Sequence, residues 1–148
     1  MKSPFFTVVI PTHNRAELLK EAIQSVLAQT FSDFELIVVD DHSTDNTRDV
    51  IASFRDSRIK YVLNDRTTGG AGTRNAGIFR AQGEWVAFLD DDDVWLPQKL
   101  ALQYNKIQDV DDSVGLVYCG YATYDFDEKR DIFQYCPQKA GWIQNELF

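Results

Sequence analysis

The spacing of apolar side chains changes period several times along this chain, and each change marks an element. Thr7-Val8-Val9-Ile10 is a β-branched run closed by Pro11, which predicts a first strand. Asn14 then stands in an N-cap position, with Glu17 three residues on as a capping-box partner. Leu18, Leu19, Ala22, Ile23, Val26 and Leu27 recur at helical spacing, so a helix should run to about Gln29. Glu35 to Val39 is nearly all apolar, the pattern of a strand buried on both faces. Ser43, Thr44 and Asp45 offer caps for a helix carrying Val50, Ile51 and Phe54, and Ile59 to Leu63 reads as a third strand. A loop holding Gly69, Gly70 and Gly72 leads into a helix from about Thr73 to Ala81. Gly83 breaks that helix, and Trp85 to Leu89 forms a fourth strand. Pro97 suits a first helical position ahead of Leu100, Tyr104 and Ile107, and Val114 to Tyr118 is expected as a fifth strand.

From Gly120 the rhythm changes. Tyr121 to Phe126 and Ile132 to Tyr135 resemble a hairpin around Asp127 to Arg130, and Gly141-Trp142-Ile143 begins another element. Asn145 to Phe148 reads as an interrupted helix, the pattern of a piece of a longer protein. The alternation of strands and helices predicts an α/β fold, a mostly parallel sheet with helices on both faces. An antiparallel hairpin follows near the C-terminus, all within one domain spanning 1–148.

Composition narrows the function classes. A length of 148 residues suits one hydrophobic core, and 44% apolar with 26% charged residues suits an ordinary globular chain. The sequence has no apolar run of membrane-spanning length, and its N-terminus lacks a signal peptide's apolar region, so a cytoplasmic location is expected. Cys119 and Cys136 lack zinc-site spacing and read as two reduced thiols. The net charge of −8 argues against a nucleic-acid surface. It does not exclude a phosphate ligand, because a bound divalent cation reverses the local sign.

Ligands of an open parallel sheet bind outside the carboxyl ends of its strands. Those ends are Pro11-Thr12-His13, Asp40-Asp41 and the run Asp90 to Asp93, so six aspartates converge on one crevice. Carboxylates so gathered repel one another unless a cation sits among them. Mg²⁺ or Mn²⁺, which prefer carboxylate oxygens and then hold substrate phosphates, answers that need. A plain helix-capping turn would use one or two such residues, not four after a buried strand. Other phosphate and metal motifs fail. Gly70-Ala71-Gly72 has Asn75 where a dinucleotide fingerprint needs its third glycine, Ile78 and Phe79 replace the Lys and Ser/Thr of a P-loop, and an EF-hand from Asp90 would need Gly at Trp95.

Four blocks carry a more specific resemblance. Val9-Ile10-Pro11-Thr12-His13-Asn14-Arg15, Val38 to Asp45, Thr73-Arg74-Asn75-Ala76-Gly77 and Gly83 to Asp93 together resemble, in order and spacing, family 2 glycosyltransferases. The resemblance implies a GT-A type, Rossmann-like fold and a nucleoside-diphosphate sugar donor, UDP-linked in expectation. It implies that Pro11, Thr12 and Asp41 border the base and ribose, with Asp41 accepting from the base and Arg74 on the base side. It further implies that Asp91 contacts the ribose, and that Asp92 with Asp90 holds the metal, Mn or Mg, bridging the two phosphates. The acceptor, whether glycan, lipid or protein, stays unidentified.

Inverting members of that family take their base from a later acidic motif. Asp125, Asp127, Glu128 and Asp131 lack its context, so no base is assigned, and both base and acceptor region are expected beyond Phe148. Three rivals remain. A haloacid-dehalogenase-type phosphatase would use Asp90 as nucleophile and Asp92 as acid/base, but its motif belongs on a first strand. A nucleotidyltransferase would need a basic, Gly-rich loop after the first strand. A non-catalytic nucleotide-binding fragment shares every binding feature.

Overall fold

Where the sequence is most apolar, the strands lie innermost. The computed structural model describes residues 3–111, 113–125 and 127–137. In chain order its elements are β1 (Phe6–Thr12), α1 (Ala16–Leu27), β2 (Phe34–Asp40), α2 (Thr47–Ser53) and β3 (Ile59–Leu63). They continue as α3 (Gly69–Ile78), β4 (Trp85–Phe88), α4 (Lys99–Gln108), β5 (Tyr121–Asp125) and β6 (Arg130–Tyr135). Two compact units divide the chain, Met1–Leu102 and Gln103–Phe148.

In the first unit β3, β2, β1 and β4 lie side by side in that order, all parallel. Phe6 stands opposite Phe34 and Thr12 opposite Asp40, so β1 and β2 end together. Every residue of these two strands is buried, as their unbroken apolar runs require. Right-handed crossovers carry the chain from β1 to β3 in one direction and back to β4 in the other, which assigns α1 and α2 to one face and α3 to the other. Side-chain packing agrees for α3. Val9, Ile37 and Val39 cluster with Ala76 of α3, and a Cβ added at Gly77 would sit 2.4 Å from Val9 Cγ1. Gly77 is therefore small because helix and sheet touch there. The strand order reverses between β1 and β4, and such a switch point opens a crevice at the carboxyl ends.

Three local expectations are corrected. Asn14 does not cap α1: its backbone is left-handed (φ 54°), and its side-chain oxygen instead accepts the Thr44 N–H at 2.6 Å. The orphan N–H of Ala16 is satisfied by Asp45 from the next loop, at 3.1 Å. The glycine-rich loop is already helix, because α3 begins at Gly69. Low glycine propensity is outweighed there by a buried carboxylate, Asp41, which accepts the N–H groups that open the helix. Val114 to Tyr118 forms no strand. Leu116 and Tyr118 are exposed, and an apolar run without a half-buried pleated neighbour has no ladder to join.

In the second unit β5 and β6 form the expected antiparallel hairpin, with an irregularity between Thr123 and Tyr124. Tyr121 packs its ring 5.5 Å from that of Tyr135. Cys119 and Cys136 are exposed and not joined in a disulfide. Phe126 and the elements expected over Gly141 to Ile143 and Asn145 to Phe148 lie outside the described residues.

Candidate active site

A cleft of about 430 Å³ opens at the carboxyl ends of β1, β2 and β4. Pro11 and Thr12 reach it from the end of β1, Asp41 from the end of β2, and Arg74 from α3. Asp90, Asp91 and Asp92 follow β4 along its other side. All seven residues singled out from the sequence thus line one cavity.

Asp41 is 4% exposed, and its carboxylate is held by three residues of the segment that leads into α3. One oxygen accepts from Asn64 Nδ2 at 2.7 Å and from the Thr68 N–H at 3.0 Å, the other from the Gly69 N–H at 2.9 Å. Burial pushes this carboxyl up, but the donors from Asn64, Thr68 and Gly69 outweigh it and hold the group below the ordinary aspartate value. Asp40 organises the loop instead: it accepts the Ser43 N–H at 2.8 Å and the Tyr61 hydroxyl at 2.9 Å. The Tyr61 phenol is pushed up to about 12 by burial and by that carboxylate.

Across the cleft Thr12 Oγ1 donates to Asp91 at 2.8 Å, tying the end of β1 to the acidic run. Asp91 is 6% exposed, whereas the Asp92 side chain is half exposed. The run follows β4, the fourth strand in sequence, which is not where a phosphatase of the haloacid-dehalogenase type carries its motif.

Residues 7–146 match the model of the family described as glycosyl transferase family 2. The chain belongs to this family. Among its curated relatives is an Escherichia coli protein named UDP-Glc:alpha-D-GlcNAc-diphosphoundecaprenol beta-1,3-glucosyltransferase WfgD. It is 38% identical over 115 residues, 78% of this chain and 45% of that protein. A Campylobacter jejuni GalNAc(5)-diNAcBac-PP-undecaprenol beta-1,3-glucosyltransferase is 44% identical over 106 residues, 70% of this chain and 34% of the relative. The chain therefore spans under half the length of either. Among solved structures, S. aureus TarS 1-349 in complex with UDP-GlcNAc aligns with TM-score 0.67 and 32% identity over 70% of this chain and 31% of that one. Pyrobaculum calidifontis PcManGT, in complex with GDP-Man and Mn2+, aligns with TM-score 0.68 and 30% identity over 80% and 36%. The fold is the GT-A type of family 2.

Within this family 2 chain, Asp90, Asp92 and Asp93 each bring a carboxylate oxygen within 4.8 Å of the others. Burial, and then the nearby Asp92 and Asp90, raises the Asp93 carboxyl, as expected of acidic groups crowded together. Three hard oxygen donors so close fit a divalent cation such as Mn²⁺ or Mg²⁺. Sequence reasoning named Asp92 and Asp90 for this role; Asp93 is added by geometry.

It also missed Arg15. The guanidinium Nη1 stands 3.1 Å from Asp91 Oδ1 and 2.7 Å from Asp92 Oδ2, while Arg74 pairs with Asp90. Asp91 first, then Asp92, keeps Arg15 protonated above its usual range. The signal was present in the sequence, since Arg15 ends the Pro11 to Arg15 block, but only the fold shows that it turns toward residues 76 and 77 positions later. His13 was legible as a loop residue without its partner, whereas Asn14 was expected to cap the helix. His13 Nδ1 lies 2.8 Å from the Asp41 carbonyl oxygen, and Asn14 N–H donates to Ser43 Oγ at 2.9 Å.

Proposed function

We propose that this chain is the donor-binding part of a metal-dependent glycosyltransferase that moves a sugar from a nucleoside diphosphate, UDP in the first instance, to an acceptor not yet identified. The observation that carries the reading is the pairing, in one cleft, of a buried carboxylate, Asp41, with Asp90 and Asp92, two members of the acidic cluster that Asp93 completes. Family membership and neighbours whose names include UDP-GlcNAc and GDP-Man support it. In this reading Pro11, Thr12 and Asp41 border the base and ribose, Asp41 accepts from a base N–H, and Asp91 meets the ribose. Arg74 is taken beside the base, although its ion pair with Asp90 also suits the phosphate side.

Asp90, Asp92 and Asp93 would hold the ion, Mn or Mg. When bound, it supplies Lewis-acid charge that offsets the negative charge growing on the departing diphosphate. Thr12 fixes the Asp91 carboxylate and so keeps the adjoining ligands in register. Reaction with inversion, a cytoplasmic setting, and an acceptor region and base beyond Phe148 complete the proposal. The last is supported by the chain matching under half the length of the two glucosyltransferases compared above.

Calorimetric titration of UDP with Mn²⁺ and then with excess chelator tests it. Binding in the first and none in the second is expected, because the aspartates otherwise repel the phosphates. Equal affinity in both would sink the metal bridge, and no binding in either would sink the donor site.

A further inference from the structure

The position of Arg15 has an energetic consequence. Its Nη1 bonds one oxygen each of Asp91 and Asp92, and Asp92 is among the three carboxylates grouped closely enough to hold a cation. A dication and this guanidinium therefore compete for the Asp92 carboxylate. Arg15 enters the cleft from the turn after β1 and leaves its side chain half exposed, so it can swing away without breaking the core. A guanidinium released beside a dication is repelled by it unless an anion lies between them. Its planar fork of donors matches phosphate oxygens as well as carboxylates.

We propose that Arg15 is a diphosphate-positioning residue that exchanges partners: it holds Asp91 and Asp92 against a metal arriving alone, and passes to the phosphates when metal and nucleoside diphosphate arrive together. The inference rests on the donor-site reading above. It makes the two ligands cooperative, since each removes a penalty the other would meet, and such coupling is reciprocal.

Arg15→Met separates this role from a merely structural one, because the two affinities move in opposite directions. Mn²⁺ alone, followed by the electron paramagnetic resonance signal of the free ion, should bind about three- to ten-fold more tightly, one nearby positive charge having been removed. UDP at saturating Mn²⁺, followed by calorimetry, should bind about ten- to a hundred-fold more weakly, the loss of one charge-assisted contact. Arg15→Lys keeps the charge but not the fork, so Mn²⁺ alone should bind near the wild-type level while UDP binding falls part of the way. Circular dichroism and a thermal melt verify that each variant is folded. Mn²⁺ binding no tighter in Arg15→Met than in wild type, or UDP binding no weaker, overturns the exchange. Failure of the wild-type chain to bind UDP with Mn²⁺ would instead remove the donor site itself.

Discussion

Replacing Asp41 by asparagine changes two atoms' worth of chemistry at the best-connected carboxylate of the cleft. The oxygens that now accept from Asn64 Nδ2, Thr68 N–H and Gly69 N–H at 2.7, 3.0 and 2.9 Å would become one oxygen and one NH₂. Whichever way the amide turns, an N–H donor meets another donor. One charge-assisted bond is then lost, about 1.5–3 kcal/mol, and with it the negative charge at the start of α3, about 0.3–1 kcal/mol. Asp41→Asn should therefore lower unfolding free energy by about 2–4 kcal/mol in urea melts at neutral pH. The pH dependence is a second signature. Because the folded carboxyl titrates below its unfolded value, the unfolded chain binds the extra proton between the two, and stability rises with pH there. The contribution is complete above the unfolded value of about 4 and is lost as pH falls through the folded one, so the variant should lose less on acidification. A variant within about 0.5 kcal/mol of wild type, with the same acid limb, would refute the claim that these bonds hold the start of α3. Titrating UDP and ribose 5-phosphate with Mn²⁺ then divides the roles. Weaker UDP alone assigns Asp41 to the base as well, whereas equal loss for both assigns it to the loop only.

Asp92→Ala should abolish Mn²⁺-dependent UDP binding while circular dichroism stays unchanged, since the side chain is half exposed and supports no core contact; retained binding in calorimetry would move the metal elsewhere. Gly77→Ala should cost about 1–3 kcal/mol in a urea melt, because its Cβ would meet Val9 Cγ1 at 2.4 Å where helix and sheet are packed too closely to part. Asp45→Ala should cost about 1–2 kcal/mol by the same measurement, the loss of a carboxylate that accepts from Ala16 N–H and from Thr47 N–H at 3.0 Å. A smaller effect than from a single lost cap would show that water replaces it.

The strands and the site's position were legible because both follow from short-range rules. Unbroken apolar runs at Val8 to Ile10 and Leu36 to Val39 could only be buried strands, and a parallel sheet fixes which of their ends carries chemistry. What escaped was every feature decided by a partner distant in sequence. Asn14 reads as a cap by its neighbours, yet its real partner is Thr44, 30 residues on. Gly69 and Gly70 read as loop by propensity, yet Asp41, 28 residues before Gly69, draws the helix out to them. Val114 to Tyr118 fails for the opposite reason: its pattern is strand-like, but no strand among the described residues pairs with it. Arg15 shows the same limit at the site, since nothing local distinguishes a guanidinium facing solvent from one bridging Asp91 and Asp92.

The crossed bonds between the first two loops divide the rim of the cleft into a half that must keep its length and a half that need not. Asn14 accepts from Thr44 and donates to Ser43, Asp45 reaches back to Ala16, and His13 meets the Asp41 carbonyl. An inserted or deleted residue in either loop would put all four partners out of step at once. Asp65, Arg66 and Thr67, between β3 and the start of α3, are exposed and carry no such cross-bonds, although Thr67 borders the same cleft. The cheapest place on this rim to change length is thus the stretch between Asn64 and Thr68, whose two ends stay pinned to Asp41 while the three residues between them bear no load.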